Sequence, residues 1–323
     1  MSESENLRPL RPLRVARKQE IARDIHLFEL RDPHGAPLPS STAGAHLAIQ
    51  VPNGHKRQYS LCNDPQETGR YQIAVKREAE GRGGSVSLVD GVAEGDEVQV
   101  SLPENLFELS DKARSFILVA GGIGITPMMA MVRSLQAEGL RKFKLYYFSR
   151  EPEGTAFLDE LQDGELAGKV VVHHDHGDPG RSYDLWQIFE KVQSGTHVYC
   201  CGPRGLMDGV KDMTGHWPGS QIHFESFGGD TKPHADDHPF QVQLQRSGRT
   251  LQVGAKQTIL DAVRAAGIHV SSSCESGTCG SCKVRMLEGD ADHRDLVLLD
   301  EEKCDHIMVC VSRARSEQLV LDL

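Results

Sequence analysis

The chain has 323 residues, enough for two or three domains of roughly 100–200 residues, each with a core of its own. Its 38% hydrophobic and 25% charged residues, with 32 Gly and 15 Pro, exclude a disordered or low-complexity polymer. The net charge of −10 comes from an acidic excess spread along the sequence, with no basic arm or patch to neutralise phosphates, which excludes nucleic-acid binding.

The start, Met1-Ser-Glu-Ser-Glu-Asn6, has no basic segment leading into an apolar one, so no secretory signal is expected. Between Leu13 and Leu102, short runs alternate apolar and polar residues: Ile25 to Leu30, His46 to Val51, Tyr71 to Lys76 and Glu97 to Leu102. Alternation bounded by Asp-Pro, Pro-Asn-Gly and Glu-Gly-Asp turns predicts half-buried strands, and regular spacing predicts an antiparallel β-barrel over residues 1–111. Within it, Arg57-Gln58-Tyr59-Ser60 puts a cation, an aromatic ring and a hydroxyl on one strand, which suits a flat ring system bearing a phosphate. Gly81-Arg-Gly-Gly-Ser85 then precedes a short helical pattern and has the glycines and hydroxyl of a phosphate-binding helix start.

From Ser115 the pattern changes. A continuous apolar strand, Phe116 to Ala120, runs through Gly121-Gly122-Ile-Gly124-Ile-Thr126-Pro127 into a helix predicted over Pro127 to Glu138. Glycines there let backbone approach a pyrophosphate at a helix N-terminus, although Pro127 stands where the G-x-G-x-x-G fingerprint has its last Gly. This apolar stretch, the longest in the chain, is broken by its glycines and proline and is short for a membrane span, so the expected location is cytoplasmic. Lys144 to Phe148, Val170 to His173 and Thr196 to Cys200 read as further buried strands, giving a parallel α/β domain over residues 112–228. Cys201-Gly202-Pro203 follows the last of these, where ligands sit in open α/β sheets, and the Cys201 thiol is a candidate neighbour of a nicotinamide. Ser149-Arg150 could receive a 2′-phosphate or simply be a surface loop, and His173-His-Asp-His176 is read as a strand end rather than a metal site, since adjacent strand residues face opposite ways.

Residues 229–239 are polar, contain Gly and Pro, lack periodicity and read as a linker. The remainder, 240–323, opens with an alternating Phe240 to Gln245, then a helix capped by Thr258 and Asp261 and stopped at Gly267. Five of the eight cysteines fall here. Cys274-x4-Cys279-x2-Cys282, with a later Cys310, has the spacing of a plant-type [2Fe–2S] centre, wrapped by small Ser, Thr and Gly residues; zinc sites usually show paired cysteines instead. Cys304 competes for the fourth position, but it sits among carboxylates, whereas Cys310 lies in the apolar Ile307 to Val311, predicted as buried strand.

These motifs, in this order, with Phe224-Glu225-Ser-Phe227 between them, resemble the ferredoxin–NADP reductase superfamily, and most closely the phthalate dioxygenase reductase family that serves Rieske-type aromatic oxygenases. The resemblance spans essentially the whole chain. It implies a barrel, an α/β domain and a C-terminal α+β ferredoxin of β-grasp type, with FMN, NADH and a [2Fe–2S] cluster as cofactors. It also implies that Arg57, Gln58, Tyr59, Ser60, Val75, Lys76, Gly83, Gly84 and Ser85 hold FMN, and that Phe227 packs on the flavin. Gly121, Gly122, Gly124, Thr126, Cys201, Gly202 and Pro203 would receive the nicotinamide nucleotide, with Glu225 assisting. The expected activity passes a hydride from NADH to FMN, then single electrons through the cluster to the oxygenase component of an aromatic dioxygenase, probing FMN's ability to join two-electron and one-electron chemistry. A self-contained relay of this kind points to a monomer. Two other readings are a reductase of the same build for another aromatic oxygenase or O-demethylase, and a non-enzymatic iron–sulfur carrier or redox sensor.

Overall fold

A computed structural model describes residues 10–81, 83–227, 236–272, 275, 277, 280–295, 297–298 and 301–323. The chain divides into two compact units, meeting between Glu225 and Ser226.

The first unit begins with strands β1 (Arg11–Ala22), β2 (Ile25–Arg31), β3 (His46–Gln50), β4 (Lys56–Ser60) and β5 (Tyr71–Lys76), helix α1 (Gly84–Gly91) and strand β6 (Glu97–Val100). They form an antiparallel sheet in the order β4-β3-β6-β1-β2-β5. Its two edges meet again where Leu61 bridges Ile73 and the Cys62 N–H donates to the Gln72 carbonyl at 2.9 Å. That closure removes exposed edges and makes the expected barrel. Alternation buries Leu13, Phe28, Leu47, Ile49, Ile73 and Val100 in one core, to which α1 adds Leu88 and Val89.

Next come β7 (Ser115–Gly121), a 3₁₀ turn (Gly122–Gly124), α2 (Ile125–Glu138), β8 (Lys142–Ser149), α3 (Leu158–Leu161), β9 (Val170–His174), α4 (Trp186–Phe189), β10 (Thr196–Cys201), α5 (Arg204–Met213) and β11 (Ile222–Glu225). The five strands are parallel, ordered β11-β10-β7-β8-β9. Parallel strands are covered on both faces, which is why Phe116 to Ala120 reads as an unbroken apolar run. The chain leaves β7 toward β8 and β9, then returns to β10 on the other side. The carboxyl ends of β7 and β10 therefore flank the switch point where open α/β sheets bind ligands. Barrel and α/β sheet share a core: Ile25, Ala43, Cys62 and Ala74 cluster with Phe116, Leu118, Met128 and Tyr199. Polar ties reinforce it. The Tyr199 hydroxyl donates to the Glu108 carbonyl at 2.8 Å and accepts from the Ser110 N–H at 2.8 Å, while Arg133 donates to the Cys62 carbonyl and to Glu160.

The second unit contains β12 (Phe240–Leu244), β13 (Arg249–Val253), α6 (Ile259–Ala265), β14 (Lys283–Glu288), β15 (Ala291–Asp292), β16 (His306–Met308), β17 (Arg313–Ala314) and β18 (Gln318–Leu321). The sheet order is β13-β12-β18-β14-β16, with β12 and β18 parallel. Helix α6 starts in a reciprocal cap, Asp261 N–H to Thr258 Oγ1 at 3.0 Å and Thr258 N–H to Asp261 Oδ2 at 3.3 Å, and lays Ile259, Leu260 and Val263 on the sheet. This is the α+β arrangement expected of the ferredoxin segment. Asp237 and His238, within the stretch read as linker, are bound into this unit: Asp237 accepts from Arg294 at 2.5 Å, and the His238 carbonyl accepts from Arg313 at 3.1 Å. Residues 228–235 lie outside the described residues.

Candidate functional site

Three groups of residues carry the chemistry. In the barrel, β4 alternates, with Arg57 and Tyr59 opposite Ile49 and Leu47 of β3, and Gln58 and Ser60 opposite Ala48 and His46. The Arg57 side chain crosses the start of α1: a Cβ on Gly84 would fall 2.6 Å from Arg57 Nε, so a larger residue there would push the Arg57 side chain aside. Gly83, which precedes the helix, has φ +76°, a conformation that favours glycine. Asn53 fixes this corner by donating its N–H to Ser87 Oγ at 3.0 Å and its side-chain amide to the Gly83 carbonyl at 3.3 Å. Ser85 Oγ accepts the Glu78 N–H at 3.0 Å, tying the helix start to the exit of β5, where Val75 is buried and Lys76 is exposed beside Glu78. Burial pushes the Tyr59 phenol up to about 12, partly opposed by Arg57, so it stays neutral. The Ser60 hydroxyl is buried and has no hydrogen-bond partner among the described residues. A buried hydroxyl left in this way costs about 1–3 kcal/mol, which a polar ligand edge would recover. The cradle fits a phosphate-bearing ring system. Arg82 lies outside the described residues.

The second group lines the switch point. A Cβ on Gly124 would lie 2.2 Å from the Cys201 carbonyl oxygen, one on Gly121 2.6 Å from Pro203 Cδ, and one on Gly202 2.9 Å from Gly121 Cα. The two strand ends therefore close on each other through glycines, and Gly122 turns between them at φ +52°. Thr126 is buried in the first turn of α2 and donates to the Ile123 carbonyl at 3.1 Å. In register, Cys201 stands between Ala120 of β7 and Glu225 of β11. Its thiol is fully buried in the core, and burial, with the nearby Glu225 and Cys200, drives its pKa well up and keeps it protonated. Phe227 is exposed and belongs to the second unit.

The third group is the cysteine cluster. Cys274 and Cys279 lie outside the described residues. Cys282 and Cys310 are buried with their Sγ atoms 2.9 Å apart, beyond the ~2.05 Å of a disulfide. The Val309 N–H donates to the Cys282 carbonyl at 3.3 Å and holds the two segments together. Gly277 and Gly280 take φ of +74° and +79°, and a Cβ on Gly277 would meet Val311 Cγ2 at 2.7 Å. Two buried, converging thiols beside two glycines in the left-handed conformation fit a thiolate-held cluster. Cys310 is not in a strand, as expected, but in a turn after β16, because the Met308 carbonyl accepts the N–H groups of both Val311 and Ser312. Cys304 is exposed and turns its thiol to the Glu301 carbonyl at 2.8 Å.

The histidines after β9 take separate partners: His173 the Arg181 carbonyl, His174 the Thr155 hydroxyl and His176 the Glu151 carboxylate, at 2.7, 3.0 and 2.9 Å. Asn53 and Ser87, which frame the barrel site, escaped the sequence reading because nothing in their spacing couples them to Gly83.

Three family models match in chain order: an oxidoreductase FAD-binding domain over residues 12–109, an oxidoreductase NAD-binding domain over 118–212 and a 2Fe-2S iron-sulfur cluster binding domain over 242–315. Together with the fold they define an iron–sulfur flavoprotein oxidoreductase. Phthalate dioxygenase reductase of Burkholderia cepacia is 60% identical, covering 96% of this chain and 97% of its own. The phthalate 4,5-dioxygenase oxygenase reductase subunit of Pseudomonas putida is 58% identical, covering 96% of each. A solved phthalate dioxygenase reductase, described as a modular structure for electron transfer from pyridine nucleotides to [2Fe-2S], superposes with a TM-score of 0.82 at 59% identity, covering 97% of this chain and 98% of that one. The chain belongs to the phthalate dioxygenase reductase family. Its activity is the transfer of electrons from NADH to an oxygenase component, and its three domains support FMN, NADH and a [2Fe–2S] cluster as cofactors. Among the described residues no helix is long and apolar enough to cross a membrane.

Proposed function

We propose that this chain is the NADH-dependent reductase of a Rieske-type aromatic dioxygenase that acts on phthalate, working as a cytoplasmic monomer. The observation that carries the reading is the joining, within one compact unit, of a barrel cradle with an orphaned Ser60 hydroxyl to a glycine-closed switch point at Gly121, Gly124 and Gly202. The near-complete coverage of two phthalate system reductases supports the choice of partner. We assign residues 1–111 to FMN, 112–228 to NADH, 229–239 to a linker and 240–323 to the ferredoxin, noting that Asp237 and His238 already pack with the last.

Bound FMN would supply the chemistry that links hydride acceptance from NADH to one-electron delivery to a [2Fe–2S] cluster. Arg57 and the α1 start, at Gly83, Gly84 and Ser85, bind the FMN phosphate. Tyr59 covers the ring, Ser60 supplies its unpartnered hydroxyl, and Gln58 and the Val75–Lys76 backbone complete the cradle. Gly121, Gly122, Gly124, Gly202 and Pro203 admit the nucleotide, while Thr126 and Cys201 orient the nicotinamide. The protonated Cys201 acts by shape rather than as a nucleophile. Glu225 sets the polarity beside it, and the family resemblance is what assigns Phe227 to the flavin. Cys274, Cys279, Cys282 and Cys310 hold the cluster.

Anaerobic titration of the purified protein with NADH, followed in the visible, with chromatography of the acid-released flavin, tests the reading. Release of FMN and bleaching of both chromophores by NADH are expected, followed by reduction of a purified phthalate dioxygenase oxygenase. Release of FAD, a higher kcat/KM for NADPH that Arg150→Ala abolishes, or failure to reduce that oxygenase while reducing another would each overturn one part of it.

A further inference from the structure

Asp295 is a buried carboxylate that none of the assignments above uses. Its side chain is fully shielded from solvent. One carboxylate oxygen, Oδ2, accepts the N–H groups of Val297 and Leu298 at 3.2 and 2.8 Å. The other, Oδ1, accepts from the Ser312 hydroxyl at 3.4 Å, and Ser312 Oγ in turn accepts the Arg294 N–H at 3.3 Å. Ser312 is itself completely buried and stands two residues beyond Cys310, in the turn closed on the Met308 carbonyl. On its other side, Asp295 abuts the loop of the first cysteines: a Cβ on Gly277 would come within 3.1 Å of Asp295 Cα and 3.3 Å of its Cβ. One residue thus abuts Gly277 and bonds the turn that carries Cys310. His293 Nδ1 lies 3.8 Å from Asp295 Oδ1, while the Arg294 side chain is turned to Asp237 and Asp292.

We propose that Asp295 is the positioning residue of the iron–sulfur site: through Ser312 it fixes the Cys310 turn against the Gly277 loop, and its buried charge keeps the cluster potential low. A negative charge in a water-poor surrounding opposes the extra electron of the reduced cluster, and hydrogen bonding and burial are the levers by which a protein sets such potentials. The inference rests on Cys310 being the fourth ligand.

The test is a redox titration of the full-length holoprotein, the cluster monitored by electron paramagnetic resonance and the flavin optically. Asp295→Asn keeps the acceptor oxygen and removes the charge. It is expected to raise the reduced-to-oxidised ratio of the cluster about tenfold at a fixed ambient potential, about 59 mV for one electron, with the flavin unmoved. Ser312→Ala keeps the charge and removes the tie. It is expected to release iron to bathophenanthroline severalfold faster with a smaller change in potential. An Asp295→Asn cluster titrating with the parent overturns the proposal. If that variant does not assemble its cluster, Ser312→Ala decides: faster iron loss supports the tie, and parental iron loss overturns it. Cys310→Ser measured alongside separates the premise. A cluster that survives this change refutes the ligand assignment, whereas its loss together with a parental Asp295→Asn potential refutes the Asp295 role alone.

Discussion

Two residues set testable limits on the first unit. Gly124 has no room for a methyl group, since its Cβ would sit 2.2 Å from the Cys201 carbonyl oxygen and 2.5 Å from the Cys201 carbonyl carbon, both of them backbone. Gly124→Ala must push β7 and β10 apart at the switch point. Overpacking of this kind costs about 1–3 kcal/mol, and a displacement near 1 Å is expected to lower kcat/KM for NADH by about 10²-fold, with flavin content unchanged. Ferricyanide reduction assays and a thermal melt check this; a parental kcat/KM would place the nucleotide elsewhere. His223 governs acid behaviour. It stacks on Tyr199 with centroids 4.3 Å apart and shares a 2.9 Å hydrogen bond with His197 Nδ1. Burial, then repulsion from His197, lowers its pKa to about 4 from 6.5. A depressed folded-state value means that the neutral pair favours the fold, so its stability is fully present above about 6.5 and is lost as pH falls through about 4. The urea midpoint should fall across that window, and His223→Gln should flatten the slope; equal slopes would remove the pair from the account.

At the scale of elements, residues 236–239 are held by an ion pair cluster rather than left as a tether. Asp237 accepts from Arg294 at 2.5 Å and lies 3.5 Å from Arg313 Nε, all three side chains being nearly inaccessible. Asp237→Ala would leave Arg294 paired with Asp292 alone and Arg313 on the carbonyls of Gln257, His238 and Gly254, a loss of about 1–3 kcal/mol for the acceptor removed. Loss of cluster absorbance at a lower urea concentration than in the parent, with the flavin transition unmoved, is the expected result. Such a contact was beyond the sequence, because Arg294 and Arg313 lie 57 and 76 residues away and nothing in local pattern links them to Asp237. What was legible was whatever local pattern dictates. β7 announced itself as a buried parallel strand, the Thr258–Asp261 cap as a helix start, and the cysteine spacing as a cluster loop. β1 was not singled out, since its twelve residues bury only Leu13 and Val15 and the rest is exposed or half-exposed. The Cys310 turn was misread as strand because apolar composition reports burial and not backbone path. Site residues were legible as residue types, whereas the orphaned Ser60 hydroxyl and the Asp295–Ser312 tie exist only in three dimensions.

For the whole molecule, the decisive feature is that the cores separate along the functional division. The barrel and α/β sheet share a cluster that runs from Ile25 and Cys62 to Met128 and Tyr199, while the second unit closes on Phe240, Val242, Leu260, Ile307 and Leu319. A lesion confined to the second core should leave the first intact, because units with their own buried cores unfold as separate cooperative blocks. Cys282 lies wholly within the second core. Cys282→Ser is therefore expected to abolish cluster absorbance and the reduction of the oxygenase. It should retain flavin, NADH bleaching of that flavin and NADH-dependent ferricyanide reduction near parental rates. Measuring the two activities on one preparation separates the alternatives. Parallel loss of both would mean that the flavin and nucleotide sites depend on the ferredoxin unit for their shape. Retention of both would remove Cys282 from the electron path, and with it the assignment of that path to this cysteine set.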